Sequence, residues 1–146
     1  MNDRASIDYL ILANHAEVTN GMLYLNGGGW TDLFRPVVSE PGTLYLNSFS
    51  VAISLSFPPE LANRQYHLVI SLEKLGDSQV LAQNHSAITV GKPVIATENT
   101  VPHILVAATF NVVFPGPGSY RIFSKIDEGG DEKDYLFRVH DVKIGT

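Results

Sequence analysis

The chain has 146 residues, is 45% hydrophobic and 17% charged, and carries a formal net charge of −5. That size and composition suit one ordinary hydrophobic core and exclude a disordered chain. The acidic balance leaves no global positive field for a nucleic-acid backbone, the 10 Lys and Arg are scattered, and zero cysteines remove disulfides, thiolate metal sites and cysteine nucleophiles.

From the N-terminus, the first predicted strand covers Ile7 to Ala13 and the second Met22 to Asn26. Between them lies Asn20-Gly21, a pair that tolerates the positive φ of a type I′ hairpin turn. The apolar run Tyr9 to Ala13 follows Asp8 and is too short for a signal-peptide core or a membrane span, so a cytoplasmic protein with no membrane contact is expected. The second strand runs into Gly27-Gly28-Gly29-Trp30. From Thr31 to Pro41 the pattern is irregular, and Pro36 and Pro41 forbid a continuous helix.

The longest predicted strand runs from Thr43 to Phe57. Phe49, Val51, Ile53, Leu55 and Phe57 share one face, and Ser50, Ala52, Ser54 and Ser56 the other. A period of two sends the large side chains into a core and the small ones outward. Leu44 and Leu46 have the opposite parity, which predicts a bulge or bend near Asn47 and Ser48 that resets the register. After Pro58-Pro59, strands are predicted around Tyr66 to Glu73 and Gln79 to Val90, with a Gly76-Asp77 turn between them. The next, Ile104 to Phe114, carries Leu105, Ala107 and Val113 on its second face, which predicts a central strand or a covered second face. A Pro/Gly corner then leads to strands Tyr120 to Ile126 and Tyr135 to Val142, joined by the acidic GGDEKD segment, read as a solvated hairpin tip.

About eight short strands and no periodic helix predict an all-β, two-layer antiparallel sandwich, immunoglobulin-like or jelly-roll-like, as one domain over residues 1–146. In GPGSY, Gly116 to Tyr120, the tyrosine resembles the corner residue of immunoglobulin-like folds whose hydroxyl ties a loop to the next strand.

Chemistry-bearing motifs are few. The NGGGW stretch lacks the spacing and following residues of a phosphate loop, and its glycines suit a kink that lets Trp30 pack closely. Trp30 reads first as a plug for one end of the sandwich and second as an anchor for a sugar ring or a partner protein. The candidate contact set is Asn26, Gly27, Gly28, Gly29, Trp30 and Asp32. His67 and His140 point away from the apolar faces of their strands. They would need Glu73 or Asp141 to complete a mixed metal site, and surface histidines are the simpler reading. No nucleophile elbow is present. The carboxylates Asp127, Glu128, Asp131, Glu132 and Asp134 sit on a turn too solvated to raise an acid's pKa. Tyr45, Phe49 and Tyr66 lack interleaved Arg and Lys and read as core, not as a stacking platform for bases.

The segments DYLILANHAEVTNGMLYLNGGGW, FSVAISLSFPPE and FPGPGSYRIFSKID together resemble a family of small, uncharacterised bacterial proteins of unknown function. Ala16-Glu17, Asn20-Gly21 and Gly27 to Trp30 carry that resemblance. It implies one domain and a bacterial, cytosolic origin, and supplies no catalytic residues. The expectation is a non-enzymatic binding or assembly module that contacts a protein partner or another copy of itself as a homo-oligomer, with no cofactor and no metal. A small-ligand or carbohydrate receptor centred on Trp30 is the second expectation, and a metal-dependent enzyme using His67 and His140 the third.

Overall fold

The computed structural model describes residues 4–37, 44–58, 61, 63–77, 79–90, 103–127 and 129–143. These contain nine strands: β1 Ser6–Thr19, β2 Met22–Gly28, β3 Asp32–Val37, β4 Asn47–Ser56, β5 Gln65–Lys74, β6 Gln79–Thr89, β7 His103–Val112, β8 Gly118–Ile126 and β9 Glu132–Lys143. They form a four-stranded sheet in the order β2-β1-β4-β7 and a five-stranded sheet in the order β3-β9-β8-β5-β6. The fold is the all-β two-sheet sandwich that the alternation predicts. Among the described residues, no helix is long and apolar enough to cross a membrane.

The core lies between the sheets. Phe49, Val51, Ile53 and Leu55 of β4, with Phe57 just beyond it, are all buried, facing Leu68, Ile70 and Leu72 of β5 and Tyr120 and Ile122 of β8 in one cluster. Their small neighbours on the other face, expected to point outward from the core, are buried too. β4 is central, and its register sets Ala52 between Ile11 and Ala107, and Ser54 between Tyr9 and Leu105. The hydroxyls are satisfied there: Ser50 meets Thr109 at 3.2 Å, and Ser54 donates to Asp8. The second face of β7 is only partly covered, with Leu105 and Ala107 half-buried and Val113 exposed.

Three local expectations are corrected. No bulge interrupts β4, whose pairing with β7 is unbroken from Asn47 to Ser56. The parity change at Leu44 and Leu46 marks residues outside the strand, and these two, with Tyr45, are exposed. The stretch after Thr31 is not irregular: Asp32 to Val37 form β3 and pair with β9, the one parallel contact in an otherwise antiparallel arrangement. Pro36 is tolerated because β3 is an edge strand, where a missing N–H breaks no ladder on the open side. Arg35 secures that edge through a bidentate pair with Asp141, at 2.7 and 2.9 Å, and a 2.7 Å bond to the Phe114 carbonyl oxygen. The Asp141 carboxylate raises the pKa of the guanidinium. Finally, the acidic turn does more than face solvent. Ile7 N–H donates to Asp131 Oδ2 at 3.0 Å, the Asp131 N–H donates to the Ala5 carbonyl, and Asp127 receives the His67 N–H. Glu128 of that turn, like Pro41 and Pro59, lies outside the described residues.

The turns follow their chemistry. Asn20 and Gly21 have φ of 52° and 73°, as a two-residue type I′ hairpin requires. Tyr120 is fully buried, and its hydroxyl donates to the Gly116 carbonyl oxygen at 2.6 Å, closing the corner that GPGSY predicts. Burial raises the pKa of that phenol. Replacing Tyr120 with Phe removes the bond and leaves the ring in place, so we expect a loss of about 0.5–1.5 kcal/mol. Urea unfolding followed by Trp30 fluorescence measures it as a lower midpoint with an unchanged slope.

Candidate functional site

At one end of the sandwich the chain leaves β2 and crosses to the other sheet through Gly29, Trp30 and Thr31 to enter β3. Gly27 has a φ of +60°, and a side chain there would run into Asn14. The Gly29 N–H donates to the Leu12 carbonyl oxygen at 2.8 Å and holds the crossing against β1. The glycines therefore act as a backbone corner that delivers Trp30.

Trp30 is half-buried and packs edge-to-face with Phe49 of β4 and Phe137 of β9, with ring centroids 5.8 and 6.0 Å apart. Its carbonyl oxygen accepts the Tyr135 hydroxyl at 2.6 Å. The indole Nε1 is buried and has no hydrogen-bond partner among the described residues. Most of the apolar surface that would hold a sugar ring thus meets the core.

The rest of the predicted contact set separates across the corner. Asn26 is exposed on β2 opposite His15, and Gly28 lies opposite Ala13. Asp32 stands on the other sheet, where its Oδ1 lies 2.7 Å from His140 Nε2 and its Oδ2 accepts the Thr31 hydroxyl. His140 stacks on Phe34, which is itself exposed. A shallow groove of about 450 Å³ adjoins this pair, lined by Thr31, Asp32, Leu75, Ser119, Leu136 and Arg138 among others. The hydrogen bond from His140 holds the Asp32 carboxyl below the ordinary aspartate range, aided by Thr31.

The histidines do not assemble into one centre. β8 lies between β5, which carries His67, and β9, which carries His140. His67 pairs with Asp127 at 3.0 Å, and Glu73 is taken by Arg121. Among the described residues, no group of three or more His, Asp or Glu lies close enough to hold a metal ion.

One polar cluster escapes sequence reasoning. A β-bulge between Ile7 and Tyr9 gives β1 one extra residue, and Asp8 there accepts bonds from both Ser54 and Ser56. His103 Nδ1 lies 3.0 Å from Ser56 Oγ and 3.3 Å from Asp8 Oδ2. This is not a nucleophile arrangement. Ser56 donates its single proton directly to the carboxylate, and the imidazole presents the same nitrogen to both partners instead of linking them. Only the bulge brings Asp8 to this position, and alternation alone does not reveal a bulge.

The β1–β2 hairpin presents several exposed apolar side chains. Among the described residues β2 is one edge of its sheet, with β7 at the other, and Met22, Tyr24 and Leu25 are 56%, 50% and 39% exposed. Its residues, MLYLNGG, include no charge and no proline.

Comparison with known proteins places the chain in a family. A model for a family of unknown function, DUF6941, matches residues 8–140, and the chain belongs to that family. No curated protein matches the sequence. Among solved structures, a similar fold is the CARDB domain of the PF1109 protein from Pyrococcus furiosus, determined in complex with di-metal ions. It is 12% identical with a TM-score of 0.42, covering 94% of this chain and 90% of that one. A likeness of that degree transfers no site.

The Asp32–His140 contact makes a direct prediction. In a carbon-detected titration, Asp32 should titrate below the ordinary aspartate range, and His140→Gln should move it back up. Because the folded pKa is depressed, any stabilisation from this group is present at neutral pH. It is lost as pH falls below about 4 and through the folded pKa.

Proposed function

We propose that this member of the DUF6941 family is a non-enzymatic protein-binding sandwich that takes an extended strand of a protein partner onto the open edge of β2. One observation carries the reading: β2 is an edge strand without the features that usually block strand addition. β3, the edge of the other sheet near the same corner, is protected by Pro36 and by the Arg35–Asp141 pair.

The backbone supports the reading. Thr19 and Met22 close the two-residue turn as a hydrogen-bonded pair, and pairing alternates from there along the register to Glu17 and Tyr24. The N–H and C=O groups of Leu23 and Leu25 therefore point away from β1, toward the open side. A partner strand completes those bonds and covers Met22, Tyr24 and Leu25.

A small-ligand receptor centred on Trp30 has less support, because the indole is packed against Phe49 and Phe137. Metal-dependent chemistry at His67 and His140 has less again, because the two lie on strands separated by β8.

A photoreactive phenylalanine derivative in place of Tyr24 should crosslink to protein when the chain is expressed in its native host. Leu25→Lys should reduce that product about tenfold or more, since a buried charge at a sheet junction costs at least about 1.4 kcal/mol. No protein adduct through position 24, or adducts that survive Leu25→Lys, overturns the reading.

A further inference from the structure

We infer that the occupant of the β2 edge is the β2 strand of a second copy, paired antiparallel about a two-fold axis that passes beside Tyr24. This rests on the strand-addition reading above and narrows it to one partner. The two four-stranded sheets then join through their β2 edges into one continuous sheet.

The backbone alternation selects this arrangement. Leu23 and Leu25 direct their free N–H and C=O groups outward, whereas those of Tyr24 are spent on Glu17 of β1. An antiparallel copy centred on Tyr24 sets Leu23 opposite the partner's Leu25 as a hydrogen-bonded pair, and the reverse on the other side of the axis. Tyr24 meets the partner's Tyr24 as a non-hydrogen-bonded pair, the closer of the two pair types. Every free donor on Leu23 and Leu25 then finds an acceptor.

The side chains favour a copy of the same strand. A two-fold contact places like against like, so any charge on the strand would repel itself, and β2 has none. A chain of net charge −5 repels its copies elsewhere. The titratable groups nearest the junction are His15 and Glu17 on β1, which lie across from Asn26 and Tyr24 and stand 3.8 Å from one another. They remain one strand away from the axis. Across the axis, an aromatic pair of Tyr24 rings on one face and Leu23–Leu25 contacts on the other bury the side chains that β2 exposes.

Two measurements test the inference. Sedimentation of the unmodified chain over a wide concentration range should approach twice the 16.0 kDa chain mass, and Leu25→Lys should hold the mass at one copy while far-UV circular dichroism stays unchanged. The native sequence has no cysteine, so an introduced thiol reports cleanly. Cα atoms of a non-hydrogen-bonded pair are about 4.5 Å apart, inside the roughly 4.4–6.8 Å that a disulfide spans. Tyr24→Cys should therefore form a covalent dimer under mild oxidation, at a rate well above that of Thr109→Cys on β7. A single-copy mass at every concentration overturns the inference, and so does a dimer in which Tyr24→Cys bridges no faster than Thr109→Cys. A single-copy mass combined with a different protein crosslinked at position 24 overturns the self-pairing and leaves the strand-addition reading standing.

Discussion

The aromatic cluster around Phe49 is the interaction on which the rest of this structure depends. Phe49 lies on the four-stranded sheet and Phe137 on the five-stranded one, 6.0 Å apart by ring centroid, with Phe110, Phe114 and Trp30 also packed on Phe49. Tyr120 stacks on Phe137 and meets Phe114 edge-on. Such rings bury large areas in fixed geometries, so the cluster locks the spacing and relative placement of the sheets at one end. It also collects the connections. Trp30 sits where the chain crosses from β2 to β3, Tyr120 ties the loop after β7, and Phe114 lends its carbonyl oxygen to Arg35 of β3. One end of the sandwich is closed by this arrangement, and the Gly27 to Trp30 corner belongs to it.

How much of this was legible in the sequence depended on whether a feature was local. The alternation from Phe49 to Phe57 is read from consecutive residues and sets the core face of β4, while its central position comes from the pairing with β1 and β7. The Asn20-Gly21 turn and the Tyr120 hydroxyl bond are equally local, since each is specified within about five residues. β3 was not legible, because six residues interrupted by Pro36 carry no strand signal of their own. What makes them a strand is β9, more than a hundred positions away, and the Arg35–Asp141 pair that only this register creates. The Asp8 cluster failed for the same reason in a smaller way: one extra residue in β1 turns a carboxylate toward two serines of a neighbouring strand. The candidate site was legible as a corner, while the split between Asn26 on one sheet and Asp32 on the other was not.

The carboxylates show what the polar residues of this fold are used for. Asp131 holds the start of β1, Asp127 holds His67, Asp141 holds Arg35, Asp8 gathers Ser54, Ser56 and His103, and Asp32 takes His140. Each links segments distant in sequence. These contacts help to hold strands and turns in register.

That allocation sharpens the contrast between the two ends of β2. At Gly27 to Trp30 the strand enters the closed, aromatic end, where almost every group has a partner. Toward the Asn20-Gly21 turn, Met22, Tyr24 and Leu25 face solvent. β2, like the edge strands β6 and β7, carries no Asp, Glu, Lys, Arg or Pro, and it exposes three large apolar side chains. A strand added there, as proposed above, would supply a backbone to Leu23 and Leu25 and apolar contact to Tyr24 between them at once.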